Sequence, residues 1–178
     1  MNACIRNYLR TSASTLLLAS FAIAADQPTT GVSLQPREER KAAPEFVLKD
    51  SSGKTCRLKE YRGKVVLLDF WATWCTGCKK EIPWFPEFQR MYGPKGFVVV
   101  GVSMDEGGWN VVKPFLAETR VPYRMLLGDD LTSERYGIQS LPDTFLIDRK
   151  GRIAAAYRAT LVNKDNVAAN ITALLAKY

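Results

Sequence analysis

The chain of 178 residues contains no histidine. This absence excludes Cys–His and Ser–His catalysis, so any general base must be a carboxylate, a lysine, a tyrosine or water. It also removes a common nitrogen ligand of zinc, and only one pair of cysteines has the spacing of metal ligands. We therefore expect no metal site and no other cofactor.

Also missing is an apolar run long enough for a membrane-spanning helix, which needs about 20 residues. The apolar stretch 15–24 is shorter, follows Arg6 and Arg10, and ends in an Ala-x-Ala pattern. These features predict a cleavable signal peptide over residues 1–24, and hence a periplasmic or otherwise extracytoplasmic protein. No stable membrane span is then left after cleavage. An uncleaved N-terminal anchor is the alternative.

Acidic residues are outnumbered, with 18 Asp and Glu against 25 Lys and Arg, which gives a net charge of +7. A basic excess can indicate nucleic-acid binding, but the basic residues are scattered and form no basic–aromatic stripe. We expect no nucleic-acid partner. Residues 25–43 are polar and include the charge run 37–41, which is typical of a flexible linker. Residues 44–178 are then predicted to form one folded domain.

Cysteine is scarce as well: Cys4 lies in the predicted signal, Cys56 stands alone, and Cys75 and Cys78 form a close pair. The pair follows the apolar run 65–71, which has the length and composition of a buried central strand, and a helical pattern comes next. Free backbone N–H groups at a helix start lower the pKa of a thiol. Cys75 is therefore the predicted nucleophile and Cys78 its resolving partner. Cys56 is interpreted as a small buried hydrophobe, with a regulatory thiol or a third zinc ligand as alternatives.

Two acidic residues accompany the cysteine pair. Asp69 interrupts the apolar strand, where a buried charge must find partners, stay protonated or take part in chemistry. Glu81 follows Cys78 by three residues, so both side chains project from the same face of the predicted helix. Either acid can accept the proton of Cys78, directly or through a water.

Residues 68–78, Leu-Asp-Phe-Trp-Ala-Thr-Trp-Cys-Thr-Gly-Cys, resemble the active-site signature of thioredoxins. Residues 136–151 are similar to the thioredoxin segment that holds a cis-proline loop. Taken with the secretory signal and Glu81, the hairpin pattern of residues 43–54 resembles the TlpA/ResA-like branch of the thioredoxin superfamily, within its AhpC/TSA group. The resemblance implies an α/β thioredoxin fold: a central mixed β-sheet flanked by helices, with an N-terminal β-hairpin and a central helix–strand insertion.

The same resemblance implies the substrate-binding residues. It makes Pro142 the cis residue, so that the backbone of Leu141 hydrogen-bonds to an extended substrate strand. Trp74, Thr76 and Gly77 complete the implied binding surface.

Two positions depart from the family. Gly101 stands where cytosolic thioredoxins often carry a lysine that pairs with the buried aspartate, so Asp69 is expected to be harder to ionise. Asp143 follows the proline, where a threonine is common. Its carboxylate either lies close to Cys75 and disfavours the thiolate, or points to solvent and has no such effect.

The implied activity is thiol–disulfide exchange. We expect a reductase of disulfide-bearing proteins, with cytochrome c maturation as a candidate process and a membrane thiol reductase of the DsbD/CcdA kind as electron donor. Thr76-Gly77 matches neither the Gly-Pro of reducing thioredoxins nor the Pro-His of strong oxidases, so the direction of electron flow is left open. The alternatives are a thiol-dependent peroxidase of the AhpC/TSA type and a non-catalytic binding module with a structural disulfide.

Overall fold

The structure, a computed structural model, describes residues 31–158 and 163–176. The predicted signal peptide, Cys4 and the start of the predicted linker lie outside the described residues. The strands are β1 (Val47–Asp50), β2 (Thr55–Arg57), β3 (Val65–Trp71), β4 (Phe97–Ser103), β5 (Arg124–Leu127), β6 (Asp143–Ile147) and β7 (Ile153–Arg158). The helices are α1 (Thr76–Glu81), α2 (Phe85–Tyr92), α3 (Trp109–Thr119), α4 (Asp130–Tyr136) and α5 (Lys164–Ala176). Within the described ranges, no helix is both long and apolar enough to cross a membrane.

The strands form one seven-stranded sheet in the order β2-β1-β5-β4-β3-β6-β7. The central strand β3 runs parallel to β4 and antiparallel to β6, so the sheet is mixed. Every residue of β3 is buried, because both faces of this strand are covered. The predicted α/β fold with a mixed central sheet is confirmed.

The N-terminal hairpin and the central insertion extend the sheet on one side. The hairpin is formed by β1 and β2, and β1 pairs with β5, the strand of the insertion. Helix α3 precedes β5, and β5 runs parallel to β4. Both additions that the family resemblance implies are therefore present.

Two apolar cores lie on opposite faces of the sheet. Leu67 and Trp71 contribute to the core that also contains Cys75 and Cys78. Leu68 and Phe70 contribute to the other core, which contains Cys56. Since side chains alternate along a strand, Asp69 points to the same face as Leu67 and Trp71. The alternation of β3 thus directs its one carboxylate toward the cysteine pair.

Prolines divide the helical segment that follows the cysteine pair. α1 ends at Glu81, a 3-10 turn spans Ile82–Trp84 with Pro83 in it, and α2 has Pro86 in its first turn. Proline lacks the N–H that an α-helix interior requires, so the α-helical ladder stops and restarts here. The helical segment is therefore interrupted at Pro83, and Glu81 becomes the last residue of a short helix that begins directly after Cys75.

Residues 31–43, the described part of the predicted linker, lie against β7. The backbone N–H of Gln35 donates to the Ala154 carbonyl at 2.8 Å, and that of Ile153 donates to the Lys41 carbonyl at 2.9 Å. These bonds add a run of chain to the strand that ends the sheet. This part of the chain is therefore packed as part of the folded unit.

Candidate active site

The cysteine pair lies at the start of α1, directly after the turn that follows β3. Cys75 is the N-cap residue, and its sulfur accepts the backbone N–H of Cys78 at 3.1 Å. The two sulfurs are joined in a disulfide, with 5.3 Å between the Cα atoms. Cys75 is 5% exposed and Cys78 1%, so the thiol predicted to be the nucleophile is the more accessible one.

Asp69 is buried beneath the pair and is held in its protonated form. Burial raises its pKa to about 8, and the charge of Glu81 adds to this rise. The hydroxyl of Thr144 donates to Asp69 Oδ1 at 3.0 Å and acts in the opposite direction, toward a lower pKa. At neutral pH the carboxyl group therefore retains its proton in most molecules. The expectation that Asp69 is hard to ionise agrees with this environment.

The strand neighbour of Asp69 has no room for a lysine. Gly101 of β4 lies directly opposite Asp69 in the parallel pairing. A Cβ atom at position 101 would lie 2.2 Å from the sulfur of Met125, far inside any contact distance. Met125 thus occupies the space that a side chain on Gly101 would need. Because of this packing, β4 cannot place a cationic side chain opposite the buried Asp69.

Glu81 and Tyr123 complete a buried set of titratable groups. Glu81 is fully buried, and its charge acts on Asp69. Burial raises the pKa of the Tyr123 hydroxyl, and the charge of Asp69 raises it further. Among the described residues, neither Asp69 Oδ2 nor the Tyr123 hydroxyl has a hydrogen-bond partner. Sequence reasoning found both acids but missed Tyr123, because only the fold brings the start of β5 to this site.

The predicted cis-proline lies against the active-site helix. The Leu141–Pro142 peptide bond is cis, as the resemblance implied. A Cβ atom at Gly77 would lie 3.1 Å from Cδ of Pro142, closer than an ordinary contact. Glycine between the cysteines therefore allows the cis-proline loop to approach the disulfide closely.

Asp143 occupies neither of the two positions considered from the sequence: it pairs with Phe70 across β3 and β6, so its side chain lies on the face of the sheet opposite the cysteine pair. It is buried and does not point to solvent. Its carboxylate forms an ion pair with Arg158, at 3.2 Å. Arg158 also donates to the carbonyl of Gly137 at 2.9 Å and to that of Tyr136 at 3.1 Å. The guanidinium group compensates the charge of Asp143 and joins both ends of the loop that carries Pro142.

The surface beside Cys75 is formed by the turn that leads into α1. Trp74 is 68% exposed, which is unusual for so large an apolar side chain. Thr76 is exposed as well, whereas Leu141 is half-buried. The residues predicted to bind substrate therefore surround the disulfide, with Trp74 projecting furthest into solvent.

Cys56 lies away from this site, on the opposite face of the sheet. Its thiol is buried and lies 3.3 Å from the hydroxyl of Tyr61. Burial raises its pKa. The interpretation as a buried hydrophobe agrees with these contacts, and the sheet separates Cys56 from the pair, which removes the alternative of a shared zinc site. Among the described residues, no three His, Cys, Asp or Glu side chains are grouped as metal ligands.

Residues 40–156 match the AhpC/TSA family. The chain belongs to the AhpC/TSA family. ResA, a thiol-disulfide oxidoreductase of Geobacillus thermodenitrificans, is 36% identical over 124 residues, which are 69% of this chain and 71% of that one. ResA of Bacillus subtilis is 34% identical over 124 residues, 69% of each chain. A putative thiol:disulfide interchange protein DsbE of Chlorobium tepidum has a TM-score of 0.71 and 32% identity, covering 76% of this chain and 96% of its own.

These similarities identify the class of reaction that this member of the AhpC/TSA family catalyses. It is a thiol-disulfide oxidoreductase of the ResA/DsbE type with a thioredoxin fold. The disulfide between Cys75 and Cys78 supplies the redox group that this activity requires.

Proposed function

We propose that this oxidoreductase reduces disulfides of other proteins in an extracytoplasmic compartment, with Cys75 as nucleophile and Cys78 as resolving thiol. The observation that carries the proposal is the pair of buried carboxyl groups, Asp69 and Glu81, on the same face of the sheet as the disulfide. A resolving thiol as deeply buried as Cys78 needs a proton acceptor, and water has little access to it.

The exchange reaction proceeds in two displacements. The Cys75 thiolate attacks one sulfur of the substrate disulfide, and the other substrate sulfur leaves as a thiolate. Cys78 then gives its proton to a carboxylate and attacks the Cys75 sulfur in the mixed disulfide. The second substrate sulfur leaves, so that the substrate gains two electrons and the enzyme becomes a disulfide. Asp69 and Glu81 are electrostatically coupled, so we assign the acceptor role to this carboxyl pair rather than to one of its members.

The reaction leaves an oxidised enzyme that must be reduced again. The predicted signal peptide supports a location outside the cytoplasm, where thiol pools are oxidising. A membrane thiol reductase of the DsbD/CcdA kind is the donor we propose. Apo-cytochrome c is the candidate substrate, since its paired cysteines must be reduced before haem attachment.

The reduction potential of the Cys75–Cys78 pair tests the direction of electron flow. Equilibration with glutathione and dithiothreitol buffers is expected to give a value close to that of thioredoxin, about −270 mV. A value close to that of DsbA, about −120 mV, would make the protein an oxidant and contradict the proposal.

Trapping of substrates tests the assigned order of the cysteines. Cys78→Ser should accumulate mixed disulfides with partner proteins, visible on non-reducing gels, while Cys75→Ser should accumulate none. The same preparations report on the peroxidase alternative. Rapid consumption of hydrogen peroxide by the reduced protein would favour that alternative.

A further inference from the structure

The carboxylate of Asp105 holds the turn that precedes Cys75. Both of its oxygens accept the backbone N–H of Thr73, at 3.1 and 3.0 Å. Oδ1 also accepts the Thr73 hydroxyl at 2.6 Å, and Oδ2 accepts the hydroxyl of Ser103 at 2.8 Å. Asp105 is 6% exposed, so these bonds are shielded from competing water.

The sheet anchors the start of the same turn, because the N–H of Met104, directly after β4, donates to the Trp71 carbonyl at 2.8 Å. The turn itself is closed by the N–H of Cys75, which donates to the Ala72 carbonyl at 3.1 Å. Asp105 adds the bonds to Thr73, which lies between these two points. The backbone at Thr73 is therefore fixed while the next side chain, Trp74, projects into solvent.

The fixed turn forms one wall of a surface groove with a volume of about 370 Å³. Its lining residues are Thr73, Trp74, Met104, Asp105, Glu106, Gly107 and Val111. Trp74 and Val111 are two of the few large apolar side chains that are exposed in the described structure. The charged residues in the lining are both acidic, and Glu106 is exposed. A lysine or arginine side chain fits this combination, with its methylenes on the indole ring and its charge beside the carboxylate.

We propose that Asp105 is a positioning residue, which holds Trp74 as the wall of a subsite for a basic side chain next to the substrate disulfide. Trp74 lines the groove and directly precedes Cys75, so a polypeptide that presents its disulfide to Cys75 can place a neighbouring side chain in the groove. The inference rests on the proposed function, since it requires a polypeptide substrate.

Single-turnover rates of the purified protein, reduced with dithiothreitol and desalted, test this inference. One substrate is a synthetic peptide with an intramolecular disulfide and a lysine beside each cysteine. The second has glutamates in place of the lysines, and the third is hydroxyethyl disulfide, which is too small to reach the groove. The wild-type protein should reduce the lysine peptide about tenfold faster than the glutamate peptide at low salt.

Asp105→Asn keeps the size of the side chain but replaces one of its two acceptor oxygens by an NH2 donor and removes the charge. We expect its rate with the lysine peptide to fall about tenfold, and its rate with hydroxyethyl disulfide to fall at most about twofold. Thr73→Val removes only the hydroxyl bond and keeps both N–H bonds. It should lower the rate with the lysine peptide about threefold, and it tests the positioning role if Asp105→Asn fails to fold.

Asp129→Asn is the matched control. Asp129 also accepts a backbone N–H, that of Thr132 at 2.7 Å, but it caps α4 and lines no part of this groove. It should not change the ratio of the two peptide rates.

Three results would overturn the inference. If the wild type reduces both peptides at equal rates, the groove is not a subsite for a basic side chain. An equal fall with peptide and hydroxyethyl disulfide in Asp105→Asn would mean that Asp105 acts on the thiol itself. An unchanged peptide rate in that variant would remove the positioning role. By contrast, a wild-type protein that reduces none of the three substrates would contradict the proposed function itself.

Discussion

The two faces of the sheet each bury a cysteine beside titratable groups, yet the surroundings of the thiols differ. On one face, Cys56 comes from a strand and contacts the hydroxyl of Tyr61, and burial raises the pKa of its thiol. On the other face, Cys75 caps a helix, and its sulfur accepts a backbone N–H. Burial alone therefore makes a thiol inert, whereas a helix start with acids beneath it provides for both displacements of an exchange reaction.

The largest expected effect is the difference in activity between a variant of the active-site cysteine Cys75 and a variant of the buried cysteine Cys56. Cys75→Ser should lower the rate of hydroxyethyl disulfide reduction by about 10³-fold or more, because a serine hydroxyl does not attack sulfur under these conditions. Cys56→Ser should keep the rate within about twofold of wild type. It should instead lower the free energy of unfolding by about 1–3 kcal/mol, since it buries a more polar group. Steady-state kinetics and urea unfolding measure the two effects, and similar kinetic losses in both variants would contradict the contrast.

Asp69→Asn should change how folding stability depends on pH. The pKa of Asp69 is about 8 in the folded protein, against 3.8 for an unperturbed carboxyl group. The folded state therefore binds this proton more tightly. The stability that results is complete below about pH 4 and is lost as the pH rises through about 8.

An asparagine at position 69 does not titrate, so its free energy of unfolding lacks this pH dependence. Between about pH 4 and about pH 9, the stability of the variant relative to the wild type should therefore rise by on the order of 4 kcal/mol. Urea unfolding of the disulfide form at several pH values measures this difference. Parallel stability curves for the two proteins would show that burial does not hold Asp69 protonated.

Gly101→Ala should strain the packing that keeps a partner away from Asp69. The added methyl would meet the sulfur of Met125, so we expect a loss of about 1–3 kcal/mol in the free energy of unfolding. Met125→Ala creates space at the same point. The double variant should therefore lose less than the sum of the two single variants, and strict additivity would contradict the assigned contact.

The smallest effect is expected at Asp143. If the carboxylate of Asp143 lay close to Cys75, one of the two possibilities raised from the sequence, Asp143→Thr would lower the pKa of the Cys75 thiol by removing a nearby negative charge. Since Arg158 already compensates that charge, we now expect an ultraviolet absorbance titration of the thiolate to change little. A clear shift to lower pH in the titration would restore the original prediction.

The elements that sequence reasoning predicted best are those whose signals are local. The apolar run of β3 and the cysteine pair at a helix start are signals that span only a few residues, and the strand and the helix start lie where they were predicted. The position of the cis-proline came from a motif rather than from physical chemistry. Gly101 was matched to Asp69 through the resemblance, and the strand register confirms the match.

The parts that could not be predicted depend on pairs far apart in the chain. Asp105 binds Thr73 across 32 positions, and Arg158 binds Asp143 across 15. The sequence contains many acidic and basic residues, and nothing local to Asp105 or Arg158 indicates which partner each will bind. Tyr123 is a similar case, since its hydroxyl interacts with Asp69 only because the fold places the residue before β5 beside the active site.

The segment 31–43 also protects the sheet from other molecules. A strand at the end of a sheet offers unpaired N–H and C=O groups to any extended chain, which is a common route to aggregation. At one end β2 is only three residues long. At the other, β7 is longer, and the bonds from Gln35 and Lys41 occupy part of its open side. If the substrates are other proteins, as we propose, this pairing leaves fewer unpaired N–H and C=O groups on β7 for a substrate strand to join.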